Sequence, residues 1–255
     1  PYWEKSAPGE GHPPLAADLD VDVAVIGGGI IGVTTALRLA TAGATVALLE
    51  ARHIGSGASG YNTAKVSSLH GLSYAQLAST YDDDAARAYG ELNEGGLREI
   101  RQLCSAHGIE CELREKPNFT YAASPSGAES VQEEAEVAAR VGLPATYVDA
   151  IDELPFRTGG AVRFEGQAEF HPLRYLHGLA GGAADAGAQL YERTRIVSLN
   201  QGEPCEMKSA EGHTVRADRI VLATHLPIFD RGLYFARSHP ERSYVILVRL
   251  ASAVP

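Results

Sequence analysis

The sequence predicts an α/β fold built on a parallel sheet, and three stretches carry that reading. Val21-Asp-Val-Ala-Val-Ile26 is a short β-branched apolar run, Val33–Gly43 has apolar residues at helical spacing, and Thr45-Val-Ala-Leu-Leu49 is a second apolar run. A strand covered on both faces reads as a near-continuous apolar stretch, which is the pattern of a parallel sheet. Gly27-Gly-Gly-Ile-Ile-Gly32 joins the first strand to the helix, and Glu50 closes the second strand. Strand, glycine turn, helix, strand and acid make a complete βαβ unit.

The other elements follow from the same periodicities. Residues 1–19 are rich in Pro, Gly and charge and read as an extended lead-in. From Asp82 to His107 the positions Ala85, Tyr89, Leu92, Gly96, Ile100 and Leu103 recur at helical spacing, predicting a long amphipathic helix with a charged outer face. Ile109–Arg114 and Phe119–Ala123 are expected as strands, Ser130–Val141 as a helix stopped by Gly142 and Pro144, and Gly160–Phe170 as one or two strands. His171-Pro172 opens a helix with Pro at its first helical position, running to about Ala186. Gln189–Leu199, Cys205–Ser209 and Thr214–Val215 predict a small antiparallel excursion. Arg219–Thr224 is expected as a fourth buried strand and Ser243–Leu250 as a last one.

Composition excludes several classes. With 255 residues, 45% hydrophobic and 21% charged, the chain has material for a sizeable core and is neither a disordered tail nor a collagen-like fibre. Lys plus Arg number 22 against 32 Asp plus Glu, and the resulting charge of −10 disfavours a protein that coats nucleic acid. Cys104, Cys111 and Cys205 lack CxxC or C-x-H spacing, so no metal is expected within this chain. They read as reduced thiols of a cytoplasmic protein. The first residues contain no apolar signal region, and runs such as Val245–Val248 fall far short of the roughly 20 residues that span a bilayer. Asn118-Phe-Thr120 matches a glycosylation sequon, which without secretion is an accident of composition.

Gly27-x-Gly29-x-x-Gly32 carries the chemistry. Its first glycine permits a tight turn, the second lets a pyrophosphate approach the backbone, and the third lets the helix pack on the strand. The helix N-terminus then offers amides and a positive dipole to an ADP moiety. Glu50 is placed to accept hydrogen bonds from ribose hydroxyls, and its charge disfavours a 2′-phosphate, a repulsion that Arg52 would soften. Residues 51–65 follow, rich in Gly, Ala and Ser. Such a stretch can track a longer cofactor past its pyrophosphate to a ribityl chain and ring, whereas an NAD domain turns quickly into its next helix. The alternative for this stretch is a surface loop.

On these motifs the chain resembles the FAD-dependent oxidoreductases of the D-amino-acid oxidase, glycine oxidase and sarcosine oxidase type. More narrowly it is similar to the bacterial subgroup that carries a C-terminal Rieske domain. The narrower resemblance rests on Gly57-Ala-Ser-Gly-Tyr-Asn-Thr-Ala-Lys-Val66, His70-Gly71, Gln167-Ala-Glu-Phe-His-Pro-Leu-Arg-Tyr-Leu176, Ala223-Thr-His225-Leu-Pro227 and Arg242-Ser-Tyr244. It implies an α/β fold in which a Rossmann-like FAD-binding domain (1–85 and 172–228) interleaves with a partial α+β substrate domain (86–171 and 229–255). The implied cofactor contacts are Gly27, Gly29, Ile31 and Gly32 near the pyrophosphate, and Glu50, Ala51 and Arg52 at the adenosine. Ser59, Thr63 and Ala64 would line the ribityl path, Ile196 the adenine, and Ala223 and Thr224 the strand end that passes the cofactor. The family pattern continues there with glycine, and this chain has His225, as the Rieske subgroup does. Lys65 is implied beside the flavin ring, and Lys65, His70 and Tyr244 are the candidate catalytic residues.

The activity so implied is oxidation of an amine or amino acid C–N bond by hydride transfer to FAD, with a small amine or amino acid as partner and the electron acceptor left open. The alternatives are an NAD-dependent dehydrogenase and a non-catalytic FAD-binding fragment. Family members bring a late glycine-rich segment back to the flavin, and none follows Arg242-Ser-Tyr244 here. The chain is therefore expected to be truncated at its C-terminus, and a Rieske 2Fe-2S cluster is expected only in the missing part. His171 is a weaker candidate for a substrate pocket, and Arg242 and Arg249 for a carboxylate clamp. Ser73, Asp83 and His107 do not form a credible hydrolase triad without a nucleophile elbow. Asp82-Asp83-Asp84 reads as the acidic first turn of a helix rather than as a metal site.

Overall fold

The structure, a computed structural model, describes residues 2–226, 228–230, 232–239, 241 and 248. In chain order the helices are α1 (Tyr2–Ser6), α2 (Ile30–Thr41), α3 (Ser73–Thr80), α4 (Asp83–Ala106), α5 (Ala128–Arg140), α6 (Pro172–Asp185) and α7 (Tyr234–Arg237). The strands are β1 (Leu19–Ile26), β2 (Val46–Leu49), β3 (Lys65–Val66), β4 (Arg114–Tyr121) and β5 (Ala145–Val148). Then follow β6 (Ala161–Glu169), β7 (Gln189–Tyr191), β8 (Ile196–Asn200), β9 (Cys205–Ser209) and β10 (Thr214–Leu222).

These residues form two compact units. The first takes residues up to Thr63, Ala106–Cys111, and 171–241; the second takes Ala64–Ser105 and Glu112–Phe170. The sequence divides the chain after residues 85, 171 and 228, whereas by their contacts residues 64–85 pack with the second unit and the described residues from 229 to 241 with the first.

The first unit is a six-stranded sheet in the order β7-β2-β1-β10-β9-β8. The four strands β7, β2, β1 and β10 run parallel, and β9 and β8 continue the sheet antiparallel. β1 is central, pairing Ile26 with Leu49 on one side and with Leu222 on the other. Successive strand residues point to opposite faces. Ala24, Ile26, Ala47 and Leu49 therefore join Met207, Val215 and Ala217 in one core. Their neighbours Val23, Val25, Val46 and Leu48, equally buried, serve the opposite face. The buried stripe of α2 (Val33, Ala36, Leu37, Ala40) gives that helix its apolar side, and α2 packs on α6.

The second unit is organised on β6, which pairs antiparallel with β4 along one edge and with β3 and β5 along the other. Tyr74 of α3 stacks on Phe164 of β6 at 5.7 Å between ring centroids, both fully buried, and Ala135, Ala138 and Val141 pack around them. α3 has no side-chain cap of its own at Leu72. Its first amides go instead to the buried Glu134 of α5, from Tyr74 N–H at 3.0 Å and Ala75 N–H at 2.7 Å.

Several elements depart from the sequence expectation for identifiable reasons. One strand, β4, replaces the two expected across 109–123, and its register shifts between Lys116 and Asn118. Pro117 occupies that break, where a residue without an N–H costs the ladder no bond. β10 likewise joins the two runs read separately at 214–215 and 219–224. The run 189–199 divides into β7 and β8 around Arg193, which sits at φ 49°. The lead-in is not extended throughout: Tyr2–Ser6 is helical and docks on the first unit. The strand expected over 243–250 lies outside the described residues, Val248 apart.

Candidate functional site

At the C-terminal edge of the parallel strands the backbone closes tightly. Gly27 N–H donates to Leu49 O at 3.0 Å and Ala223 N–H to Ile26 O at 2.8 Å, which brings the ends of β2, β1 and β10 together. Gly27 has φ 113°, and a Cβ there would collide with the Ala223 carbonyl. A Cβ on Gly32, in the first turn of α2, would collide with the Gly27 carbonyl oxygen. Both glycines are thus demanded by close backbone approach.

Glu50 spans this turn. Its Oε2 accepts from Gly28 N–H at 2.7 Å and its Oε1 from Arg52 N–H at 2.8 Å. The segment after it folds back over the turn, with Gly55 N–H on Gly28 O at 2.9 Å and Ser59 Oγ accepting from Ile30 N–H at 3.0 Å. Gly29, at the N-cap of α2, has no capping side chain. The dipole of a twelve-residue helix therefore ends in a glycine-lined opening, favourable for an anion.

The opening is a cleft of about 790 Å3. Gly27, Gly29, Ile31, Glu50, Ala51, Arg52, Ser59, Ile196, Ala223 and Thr224, all selected from the sequence, line it. Gly32 lies behind them in the helix. Thr63 ends the first unit's segment, and Ala64 (φ 65°) and Lys65 begin the second unit's, apart from the lining residues. Thr194, Arg195, Ile228 and Phe229 also line the cleft and were not selected. The first two adjoin Ile196, so that neighbourhood was the available signal; the last two carry no motif. His225 lines the cleft in a left-handed conformation, φ 67°.

A second carboxylate, this one buried, supports the same segment. Glu192, 4% exposed at its side chain, accepts from Ile54 N–H at 2.8 Å and His12 N–H at 3.1 Å, and contacts His53 Nδ1 at 3.1 Å. Burial pushes its pKa up, but the Ile54 amide, the His53 ring and the His12 amide together hold it below the ordinary glutamate value.

The candidate catalytic residues fall in different places. Lys65 is exposed on β3, opposite Glu169. His70, in the same unit, places Nδ1 2.8 Å from Tyr89 Oη. Burial, and next the positive charge of Lys65, lower the His70 pKa, which favours the neutral ring. Tyr244, with Arg242 and Arg249, lies outside the described residues. His171 is buried: Nδ1 accepts from Arg174 N–H at the start of α6, which leaves the Nε2 proton for Ser6 Oγ at 2.9 Å. That ring caps the start of α6.

Ser73 Oγ donates to the His70 carbonyl. The three acids at the start of α4 have separate tasks. Asp82 accepts from Ala85 N–H, Asp83 pairs with Arg140 through two bonds, and Asp84 pairs with Arg87. Among the described residues no helix is long and apolar enough to cross a membrane.

Comparison with known proteins places the chain in context. The family described as DAO, FAD dependent oxidoreductase, matches residues 22–254. YhfW of Bacillus subtilis (strain 168), named for a Rieske 2Fe-2S iron-sulfur protein, is 33% identical over 251 residues, 97% of this chain and 49% of its own length. Gamma-glutamylputrescine oxidoreductase of Escherichia coli (strain K12) is 30% identical over 85% of this chain and 52% of its own. The crystal structure of glycine oxidase from Geobacillus kaustophilus superposes with a TM-score of 0.62 at 26% identity, over 80% of this chain and 55% of that one. The chain thus spans about half the length of the curated relatives it matches.

Two outcomes follow from this geometry. A non-glycine residue in the left-handed region is strained, so His225→Gly raises stability by about 1 kcal/mol in urea melts; a loss would mean that the imidazole makes compensating contacts. Glu192 has a folded pKa below its ordinary value near 4.5, so its stabilisation is present above that pH and lost as pH falls through the folded value. Glu192→Gln therefore lowers the urea midpoint at neutral pH, and the gap to wild type narrows in acid.

Proposed function

Because the chain belongs to the DAO family of FAD-dependent oxidoreductases, we propose that its cleft holds FAD and that the protein oxidises the C–N bond of a small amine or amino acid. One observation carries the first part: an amide-rich helix N-terminus, a pinned carboxylate and a hydroxyl converge on one glycine-lined opening. Its volume falls in the range of cofactor sites, about 300 to 1,000 Å3. When bound, FAD supplies the two-electron acceptor that takes hydride from the carbon bearing the nitrogen.

The chain's own residues do the holding. Gly29 would keep a side chain out of the path of the pyrophosphate, Gly27 and Gly32 let the turn close on β10 and α2 behind it, and Ile31 would border it. Glu50 has four acceptor sites on two oxygens, and the two amides it binds occupy only part of them, leaving capacity for ribose hydroxyls. Ala51 and Arg52 would flank the adenosine, with Arg52 held by its Nη2 bond to Ser56 O at 2.6 Å. Ile196 would border the adenine, Ala223 and Thr224 the strand end that passes the cofactor, and Ser59, Thr63 and Ala64 would lie along the ribityl path. Lys65 Nζ would offer positive charge to a reduced ring. His70, whose neutral form is favoured, would accept a proton at Nε2 in the tautomer whose Nδ1–H donates to Tyr89.

The names of the relatives support the substrate class: an oxidoreductase of gamma-glutamylputrescine, and glycine oxidases. The test is anaerobic mixing of the FAD-loaded chain with a panel of small amines and amino acids while the visible flavin band is followed. Loss of the band with at least one of them is expected. In the same protein Glu50→Gln weakens FAD binding about tenfold, the loss of one charge-assisted hydrogen bond. A band unchanged by every amine tested would count against C–N oxidation by this chain.

A further inference from the structure

The Pro- and Gly-rich N-terminal segment packs along the segment that runs beside the cleft. Trp3 Nε1 donates to Asn62 O at 2.9 Å, and its ring lies edge-on to His171 at 4.8 Å between centroids. Asn62 Nδ2 in turn donates to Ser59 O at 2.7 Å, and Ser59 Oγ holds the Ile30 amide at the start of α2. An unbroken chain of bonds runs from Trp3 to the helix N-terminus.

The other end of the segment is tied as well. Glu192 binds the His12 amide on one side and the Ile54 amide on the other. Glu192 N–H donates to Pro13 O at 3.2 Å, Arg193 Nη2 to His12 O at 2.8 Å, and Leu15 N–H to Thr194 Oγ1 at 2.9 Å. Leu15 is buried beneath the sheet at 5% exposure. Residues 53–62 are thus held at both ends by residues 3–15, either directly or through Glu192.

We propose that residues 2–15 form a clasp that positions residues 53–62 over the glycine turn, with Trp3 as the positioning residue for the stretch beyond the pyrophosphate. The inference rests on reading the cleft as a flavin site. It assigns a task to Trp3 that packing alone would not need: its indole N–H fixes a backbone carbonyl three residues past Ser59, on the side of the segment leading away from the adenosine. Binding of FAD depends on this part of the segment, and binding of ADP does not.

Trp3→Phe tests this in the 255-residue chain, since Phe keeps a ring against His171 and deletes only the donor. Two readouts separate the outcomes. In the flavin-free protein, amide hydrogen exchange at residues 59–62 accelerates about fivefold, the equivalent of one lost hydrogen bond, while β1 and β2 amides are unchanged. With cofactor, the dissociation constant for FAD rises about fivefold and that for ADP stays within twofold. Unchanged exchange at 59–62, or parallel weakening of FAD and ADP, would overturn the clasp. If wild type binds no FAD, the flavin reading fails by itself and the exchange result still decides whether Trp3 holds the segment.

Discussion

The Glu50 carboxylate, shared between the Gly28 and Arg52 amides, is the contact around which the first unit's cleft is built. One oxygen fixes the glycine turn after β1 and the other fixes the bend after β2, so the exits of two neighbouring strands cannot move independently. The Glu50 backbone adds a third strand, with its N–H on Tyr191 O at 2.8 Å and its carbonyl accepting Thr194 N–H at 2.9 Å. A single residue at the end of β2 therefore registers β7, β2 and β1 against one another. Charge-assisted bonds to backbone amides are strong enough to serve as such a fixed point.

From that point the cleft follows with few further requirements. The glycine turn must pass close to Ala223 and to α2, so side chains are excluded at Gly27 and Gly32. Residues 53–62 then fold back over the turn and supply the Ser59 hydroxyl that α2 lacks at its own N-cap. The second unit uses the same device at another site: Glu134, distant in sequence, supplies the bonds that the first turn of α3 cannot find locally. In both units a helix start depends on a residue far along the chain, which couples local structure to tertiary packing.

How much of this was legible in the sequence depends on whether the cause was local. The βαβ unit was readable because buried parallel strands are written as uninterrupted apolar runs and the glycine spacing sits between them. Of the lining residues, Gly27, Gly29, Glu50 and Arg52 could be picked for the same reason, whereas Ile31, Ala51, Ser59, Ile196, Ala223 and Thr224 came through the family resemblance. α3 was not assigned, since its stabilising acid lies 60 positions away. β3, two residues long, has no periodicity to detect. The N-terminal segment read as a lead-in because Pro and Gly dominate its composition, while its docking depends on Trp3, Ser6 and His12 meeting Asn62, His171 and Glu192. Ile228 and Phe229 join the cleft only through the path of the chain after β10.

We infer from fold and family a cradle selective for FAD over NAD, because Ala51, Arg52 and residues 56–59 line the opening before any α-helix begins. Equilibrium titration of the flavin-stripped chain with FAD and, separately, with NAD measures that selectivity. The account predicts uptake of FAD with a perturbed visible spectrum and at least tenfold weaker binding of NAD, a difference of about 1.4 kcal/mol. Binding of NAD with equal or greater affinity, or no uptake of FAD by a folded chain, would contradict it.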